Sequence, residues 1–260
     1  MTESQVFFSV VIRNKNEGSR LEKTLFLLTN VYADFVNEII LVDNDSTDNS
    51  LIVAEKYGCK ILKIDDFTYG RASNLGISHV RNKYVLLLSA HAVPAGASFF
   101  SNTMKALSFH ENLAGIRYNS SFDSCVRSVI NGGFVVEPLK YGIVAACAMI
   151  NKEIWAKHKF DENLIALEDK EWSSRVVSDG YSILDLNEPF FYEYNRGLKG
   201  DLIRNQKEAI ALHALTGAYL PGKFKYVQFY FKKIFLSYPQ RIINDVYIET
   251  RHIVKVLLGQ

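Results

Sequence analysis

Cysteine is scarce in this 260-residue chain: Cys59, Cys125 and Cys147 stand far apart, and no C-x-x-C pair occurs. That excludes a disulfide scaffold, a zinc ribbon and a thioredoxin-type site, and a sparse, odd count fits a reducing compartment. Long apolar runs are lacking too. The longest, Ile143 to Ile150, has eight residues, where a membrane-spanning helix needs about 20. No basic segment precedes the apolar stretch of MTESQVFFSVVI, so no signal peptide is expected. The sequence contains no G-x-G-x-x-G, no G-x-x-x-x-G-K-[ST] and no G-x-S-x-G. Nicotinamide sites, P-loop nucleotide sites and serine nucleophile elbows therefore lose support. No internal repeat and no low-complexity segment interrupts the chain.

What is present is an ordinary globular mix, 48% hydrophobic and 22% charged, which excludes a disordered chain and is long enough to bury a real core. Thirty Lys and Arg oppose 28 Asp and Glu for a net charge of +2, and nothing in that balance points to a nucleic-acid partner. The charge is uneven along the chain. Residues 221–260 hold seven Lys and Arg against two acids, a net +5, which leaves −3 for the first 220. The same tail is rich in aromatics: Phe224, Tyr226, Phe229, Tyr230, Phe231, Phe235 and Tyr238. Basic residues interleaved with aromatics suit a membrane interface, and equally a helical subdomain or a dimer contact. Pro221-Gly222 is the best candidate boundary, between a domain at 1–220 and a helical extension at 221–260.

The first hundred residues alternate strand and helix signals. Val6–Ile12, Glu38–Val42, Cys59–Ile64 and Tyr84–Leu88 are short β-branched or aliphatic runs. Ser19-Arg20-Leu21-Glu22 matches a capping box, and Leu21, Leu25 and Leu28 give the following helix one apolar face. Ser46 or Thr47 is expected to cap a second helix running to Tyr57, stopped by Gly58, and a third runs from about Arg71 to Arg81. This order requires crossovers, so the fold class is α/β with a mostly parallel sheet and helices on both faces. Later, Ile143–Ile150 is expected as a buried strand, Glu153–His158 as a short helix, Glu168–Asp179 as a helix ended by Gly180, and Leu202–Leu215 as another.

In such sheets ligands bind beyond the carboxyl ends of the strands. Three clusters there can carry chemistry. Asp43-Asn44-Asp45-Ser46-Thr47-Asp48 offers carboxylates to nucleobase N–H groups or ribose hydroxyls, and is equally a polar turn with a helix cap. Glu168-Asp169, in FDENLIALEDKEW, is either a charged first helical turn or a general base at a pocket wall. Ser89-Ala90-His91, after YVLLL, places a histidine that can ligate a metal, meet a phosphate or serve structure alone.

Taken in order, four segments resemble the family 2 glycosyltransferases, which share the GT-A fold: VVIRNKNEG at 10–18, EIILVDNDSTDNS at 38–50, FTYGRASNLGISHVRNKYVLLLSAHAVP at 67–94 and FDENLIALEDKEW at 160–172. The resemblance spans roughly residues 6–195. It implies that Asp43 holds the base of a nucleotide-sugar donor. Arg13, Asn16, Glu17, Asp45 and Ser89 would line the nucleotide site, Arg71 would lie near the diphosphate, and Asp169 would act as catalytic base with Glu168 beside it. The chain departs from the family where a D-x-D tripeptide is expected. Ser89-Ala90-His91 stands there instead, which puts His91 at the position of a divalent cation, Mn²⁺ or Mg²⁺. His91 then ligates the cation, contacts phosphate directly, or belongs to an enzyme that needs no metal. YEYNRG at 192–197 lacks the histidine that family members often carry near that place.

The resemblance implies an inverting glycosyltransferase of bacterial surface polysaccharide synthesis, moving a sugar from a nucleoside-diphosphate donor to a glycan or polyprenyl-linked acceptor. The expected location is cytoplasmic, peripheral on the inner face of the membrane. Two other readings stand beside it. One is a nucleotide-binding GT-A domain that has lost catalysis, against which the retained Glu168-Asp169 argues. The other is a sugar nucleotidyltransferase, whose Gly-rich phosphate loop RNKNEG at 13–18 does not resemble.

Overall fold

The run FSVVIRN is apolar at nearly every position, and a strand with no polar face must be covered on both sides. In the computed structural model it forms β1 (Phe8–Asn14), buried along its whole length. The structure describes residues 7–193 and 198–217, with isolated positions beyond them up to 247. After β1 come α1 (Gly18–Phe26), β2 (Val36–Asp43), α2 (Ser50–Lys56), β3 (Lys60–Lys63), α3 (Tyr69–Ser78) and β4 (Tyr84–Ser89). The remainder adds β5 (Ala92–Pro94), α4 (Phe99–Phe109), β6 (Leu113–Asn119), α5 (Phe122–Ile130), α6 (Pro138–Tyr141), β7 (Cys147–Asn151), α7 (Lys152–Lys157), α8 (Glu168–Ser178), β8 (Ser182–Tyr192) and α9 (Leu198–Thr216).

The eight described strands make one sheet in the order β3-β2-β1-β4-β7-β6-β8-β5. Strands β3, β2, β1 and β4 are parallel, β6 and β8 are parallel to each other, and β7 and β5 run against their neighbours. The expected mostly parallel sheet is thus present. Because side chains alternate along a strand, Phe8, Val10 and Ile12 enter one apolar cluster with Leu21, Leu25, Leu28, Phe99 and Phe100. Val11 enters the other, with Ile40, Val42, Ala72, Ile77, Trp155 and Trp172. The register aligns Asn14 with Asp43 and Arg13 with Ser89, so the ends of β1, β2 and β4 come level at one edge.

Several local expectations are corrected. The capping box at Ser19 does not form: α1 starts at Gly18, Glu17 precedes it with no side-chain cap, and the Gly18 N–H donates to Asp48 Oδ2 at 2.9 Å. Neither Ser46 nor Thr47 caps α2, which starts at Ser50 after Asn49; Ser46 is drawn back to Asp43. The helix expected from about Arg71 to Arg81 runs from Tyr69 to Ser78, and Thr68 caps it by accepting from Arg71 N at 3.1 Å. The strand expected over Ile143–Ile150 forms only from Cys147. Side chains take the backbone groups before it: Ile143 N donates to Ser173 Oγ, and Ala145 N donates to Asp169 Oδ2. Strands β6 and β8 carry little sequence signal, since β8 includes Asp185, Asn187, Glu188 and Pro189.

Contact clustering gives two compact units, Met1–Ala211 and Leu212–Gln260. The extension expected at 221–260 lies, apart from isolated positions, outside the described residues. No helix among the described residues is long and apolar enough to cross a membrane.

A close helix–sheet approach rests on Gly76. A Cβ there would lie 2.2 Å from Val11 Cγ1 and 3.1 Å from Val42 Cγ2. Gly76→Ala is expected to lower stability by about 1–3 kcal/mol through overpacking, measured by urea denaturation. A midpoint equal to that of the wild type would show that α3 does not press on β1 as described.

Candidate active site

The first group of polar residues lies where β1 and β2 end. Asp43 is buried, and its carboxylate is held by its own loop: Oδ1 accepts from Asn14 Nδ2 at 2.8 Å and Ser46 Oγ at 2.6 Å, and Oδ2 accepts from Ser46 N at 2.9 Å. Asn16 N donates to Ser46 Oγ at 2.9 Å, and Asn16 Oδ1 accepts from Thr47 N at 2.7 Å. The loop after β1 is thus tied to the loop after β2. Asn16 and Asp45 both adopt positive φ, 53° and 52°, a conformation Asn and Asp tolerate better than other side chains. Asp45 is exposed at the loop tip.

The second group surrounds Glu168 and Asp169 at the start of α8. Leu167 before them has φ 64°, left-handed for a bulky residue. Such strain persists only where packing imposes it, and it concentrates at functional sites. Glu168 is buried, with Oε1 3.6 Å from Arg13 Nη1. Asp169 Oδ2 accepts from Ala145 N at 3.1 Å, and Ala145 O accepts from Arg13 Nη2 at 2.8 Å. The Arg13 guanidinium also lies 5.4 Å from the Tyr69 ring centre. Arg13 therefore sits between the ends of the sheet and the two acids, rather than reaching out from the loop, and its Nε and Nη1 carry no hydrogen bond.

Burial pushes the Glu168 carboxyl up to about 7; Asp169 beside it adds to this and Arg13 opposes it. Burial also pushes the Lys170 ammonium down to about 8. Its Nζ donates to Gly142 O at 2.7 Å and Ile143 O at 2.6 Å.

The third group lies past β4. His91 Nδ1 is 3.3 Å from Glu17 Oε1, and Glu17 Oε2 accepts from Arg20 Nη1 at 2.7 Å. Tyr192 packs on His91 with ring centres 5.0 Å apart, and Glu193 N donates to His91 O. Ser89 is held through its backbone, donating to Ala146 O at 3.0 Å. Among the described residues no three His, Cys, Asp or Glu side chains gather as a metal cage. His91 and Glu17 provide two donors, which suits a cation only when phosphate oxygens complete its shell.

The fold therefore brings together Arg13, Glu168 and Asp169, then Asp43 with the Asn16 loop, then Glu17 with His91. Arg71 stands apart. It pairs with Asp66, donates to Asp66 O at 2.9 Å and reaches Glu162 Oε2 at 3.4 Å. Sequence reasoning missed Ala145, Ser46, Lys170 and Arg117. Arg117 had a signal, as the one charge in the otherwise apolar strand LAGIRYN; Ala145 acts only through its backbone and had none.

Glu168 sets a pH dependence with a definite sign. Its folded pKa lies above its unfolded value, so the stability it contributes is complete below about 4.5 and is lost as pH rises through about 7. Glu168→Gln removes that loss. The variant is expected to gain stability relative to wild type between pH 5 and pH 8, read by denaturant titration at each pH. A difference that does not change with pH would show that Glu168 titrates normally.

Residues 9–128 match the sequence model of glycosyl transferase family 2. A protein of Rickettsia bellii (strain RML369-C), named as an uncharacterized glycosyltransferase, is 29% identical over 82 residues, 32% of this chain and 26% of that protein. The match thus spans about a quarter of that curated relative's length. Among solved structures, the mannosyltransferase PcManGT from Pyrobaculum calidifontis, in complex with GDP-Man and Mn²⁺, superposes with a TM-score of 0.64 at 16% identity, over 91% of this chain and 72% of its own. Glucosyl-3-phosphoglycerate synthase from Mycobacterium tuberculosis, in complex with Mn²⁺, UDP-Glc and phosphoglyceric acid, gives 0.62 at 16% identity, over 84% and 81%. At such identities the likeness is one of fold, and it agrees with the strand order and mixed α/β layers described above. The match to the glycosyl transferase family 2 model covers residues 9–128, a little under half of the chain, and the superpositions show that the chain shares the GT-A fold.

Proposed function

We propose that this protein is an inverting glycosyltransferase that moves a sugar from a nucleoside diphosphate to a hydroxyl of a glycan or lipid-linked acceptor. The observation that carries the proposal is the Asp169 carboxylate, fixed by Ala145 N–H at the start of α8 and joined through Ala145 to Arg13 at the end of β1. A base at that place adjoins the edge where Asp43, Asn16 and Asp45 would receive the nucleotide. Asp169 takes the proton of the acceptor hydroxyl as its oxygen attacks the anomeric carbon. The bond from that carbon to the diphosphate oxygen breaks on the opposite face, and the nucleoside diphosphate leaves. Negative charge gathers on the departing oxygen, where fixed cations stabilise it; Arg13, with donors to spare, serves there, and His91 acts through a cation that it would help to hold. Arg71 serves there only after leaving Asp66.

The structural neighbours carry Mn²⁺. In this chain His91 and Glu17, with diphosphate oxygens, would hold a divalent cation, Mn²⁺ or Mg²⁺, which would neutralise charge on the leaving group. Holding acceptor and donor in line supplies much of the remaining acceleration. The product is assigned to bacterial surface polysaccharide, made at the inner face of the membrane. Support for that placement is the basic, aromatic composition of residues 221–260. Residues 1–220 would form the transferase domain.

Asp169→Asn is expected to lower transfer at least about 100-fold, while the thermal shift given by UDP, GDP, dTDP or CMP persists. Near-normal turnover would remove Asp169 from the role of base. A nucleotide at 100 times its dissociation constant adds about 2.7 kcal/mol, so the shift is readily seen. With Mn²⁺ present, both EDTA and His91→Ala are expected to abolish it; a shift that survives both would make metal-free binding the correct reading.

A further inference from the structure

Two cations beside the candidate site, Arg117 buried and Lys170 half-buried, converge on one carbonyl. Lys170 Nζ donates to Gly142 O at 2.7 Å and Ile143 O at 2.6 Å. Arg117 Nη1, from β6, donates to Gly142 O at 2.9 Å and Tyr141 O at 2.6 Å. Three successive carbonyls, at 141, 142 and 143, are thus capped by charge. These groups have no strand partner, because β7 begins only at Cys147, and buried carbonyls need donors. Neutral donors would meet that need, as Ser173 Oγ meets the need of Ile143 N for an acceptor. Placing like charges together inside a protein is costly, so their charge calls for a reason beyond packing.

The capped segment leads directly to Ala145, whose N–H holds Asp169 Oδ2. We propose that Lys170 and Arg117 are positioning residues for Asp169: they pin residues 141–143, so that Ala145 N–H stays on the carboxylate, and their charge strengthens that hold, since charge-assisted hydrogen bonds are stronger than neutral ones. This rests on Asp169 being the base. Other charged groups act at the same place from every packed element. Glu168 precedes Asp169 and is engaged by Arg13 from β1. Asp185 of β8 lies behind Arg117 at 3.7 Å from Nε and accepts from Arg127 of α5 at 2.6 Å, so much of the arginine charge is balanced there. Lys170, adjacent in sequence to Asp169, has no carboxylate hydrogen bond of its own among those described and donates to the two carbonyls instead. The lowered pKa of Lys170, caused by burial and opposed by Asp169, agrees with this placement.

The test reads the hold on Asp169 in two ways, by amide hydrogen exchange at Ala145 N–H without substrate and by kcat with it. Lys170→Met is expected to speed exchange at Ala145 about tenfold or more and to lower kcat about tenfold or more as the base loses its aim, while affinity for the nucleoside diphosphate holds. Lys170→Arg keeps charged donors for the carbonyls and should restore both. If Lys170→Met does not fold, Lys170→Gln retains an N–H donor without charge and is measured instead. Unchanged exchange at Ala145 in the folded variant overturns the proposal. Faster exchange in a chain whose Asp169→Asn form still transfers sugar would overturn the base assignment while leaving the clamp in place.

Discussion

Ala145 commits both of its backbone polar groups to charged side chains, its N–H to Asp169 and its carbonyl to Arg13. The candidate site depends on that arrangement. It links the end of β1 to the start of α8, elements more than 150 residues apart in the chain. It also requires that the strand entering β7 stop short, since a backbone paired in a sheet has no groups left to offer. The apolar composition of 143–146 favours continuing the strand, and four polar side chains, Arg13, Ser173, Asp169 and Lys170, override it.

A comparable exchange shapes the edge proposed for the nucleotide. Ser46 does not cap α2, because it donates to Asp43, accepts from Asn14 and Asn16, and so joins two loops. Asp48 in turn receives the Gly18 N–H and opens α1 from a neighbouring crossover. A Cβ at Gly18 would fall 2.0 Å from Asn49 Oδ1 and 3.1 Å from Ser50 N, so the two loops pass closely there and a side chain would displace that of Asn49. Local capping signals lose here to bonds made across the sheet edge. Those bonds preorganise the loops, which lowers the ordering cost of binding a nucleotide.

The two edges differ in electrostatic character. At Asp43 the carboxylate is satisfied by neutral donors, Asn14, Ser46 and backbone N–H. The Asp169 carboxylate likewise accepts from backbone N–H groups, those of Ala145 and Lys170, but charged side chains surround it: Arg13, Glu168, Lys170 and Arg117. A binding site for a neutral base needs fixed geometry, whereas a base that accepts a proton needs its ionisation set as well. The contrast fits the division of labour in the proposed transfer.

The parallel half of the sheet is legible in the residues alone, because period and chemistry coincide there: aliphatic runs make strands buried on both faces, and Leu21, Leu25 and Leu28 make a one-sided helix. The sequence also pointed to the strand ends as the place for chemistry, where Asp43, Asn16, Glu17 and His91 do lie together at one edge. Only the tertiary structure decided the rest. Strands β6 and β8 form around Arg117, Asp185 and Pro189, whose polarity hides the strand period until partners from other elements pair them. Arg13 turned inward to Glu168, Arg71 outward to Asp66, and Ala145 became the link at the centre of the site. Local propensity is written in neighbouring residues, but the destination of a charged side chain or a backbone N–H depends on which distant groups the fold brings within 3 Å.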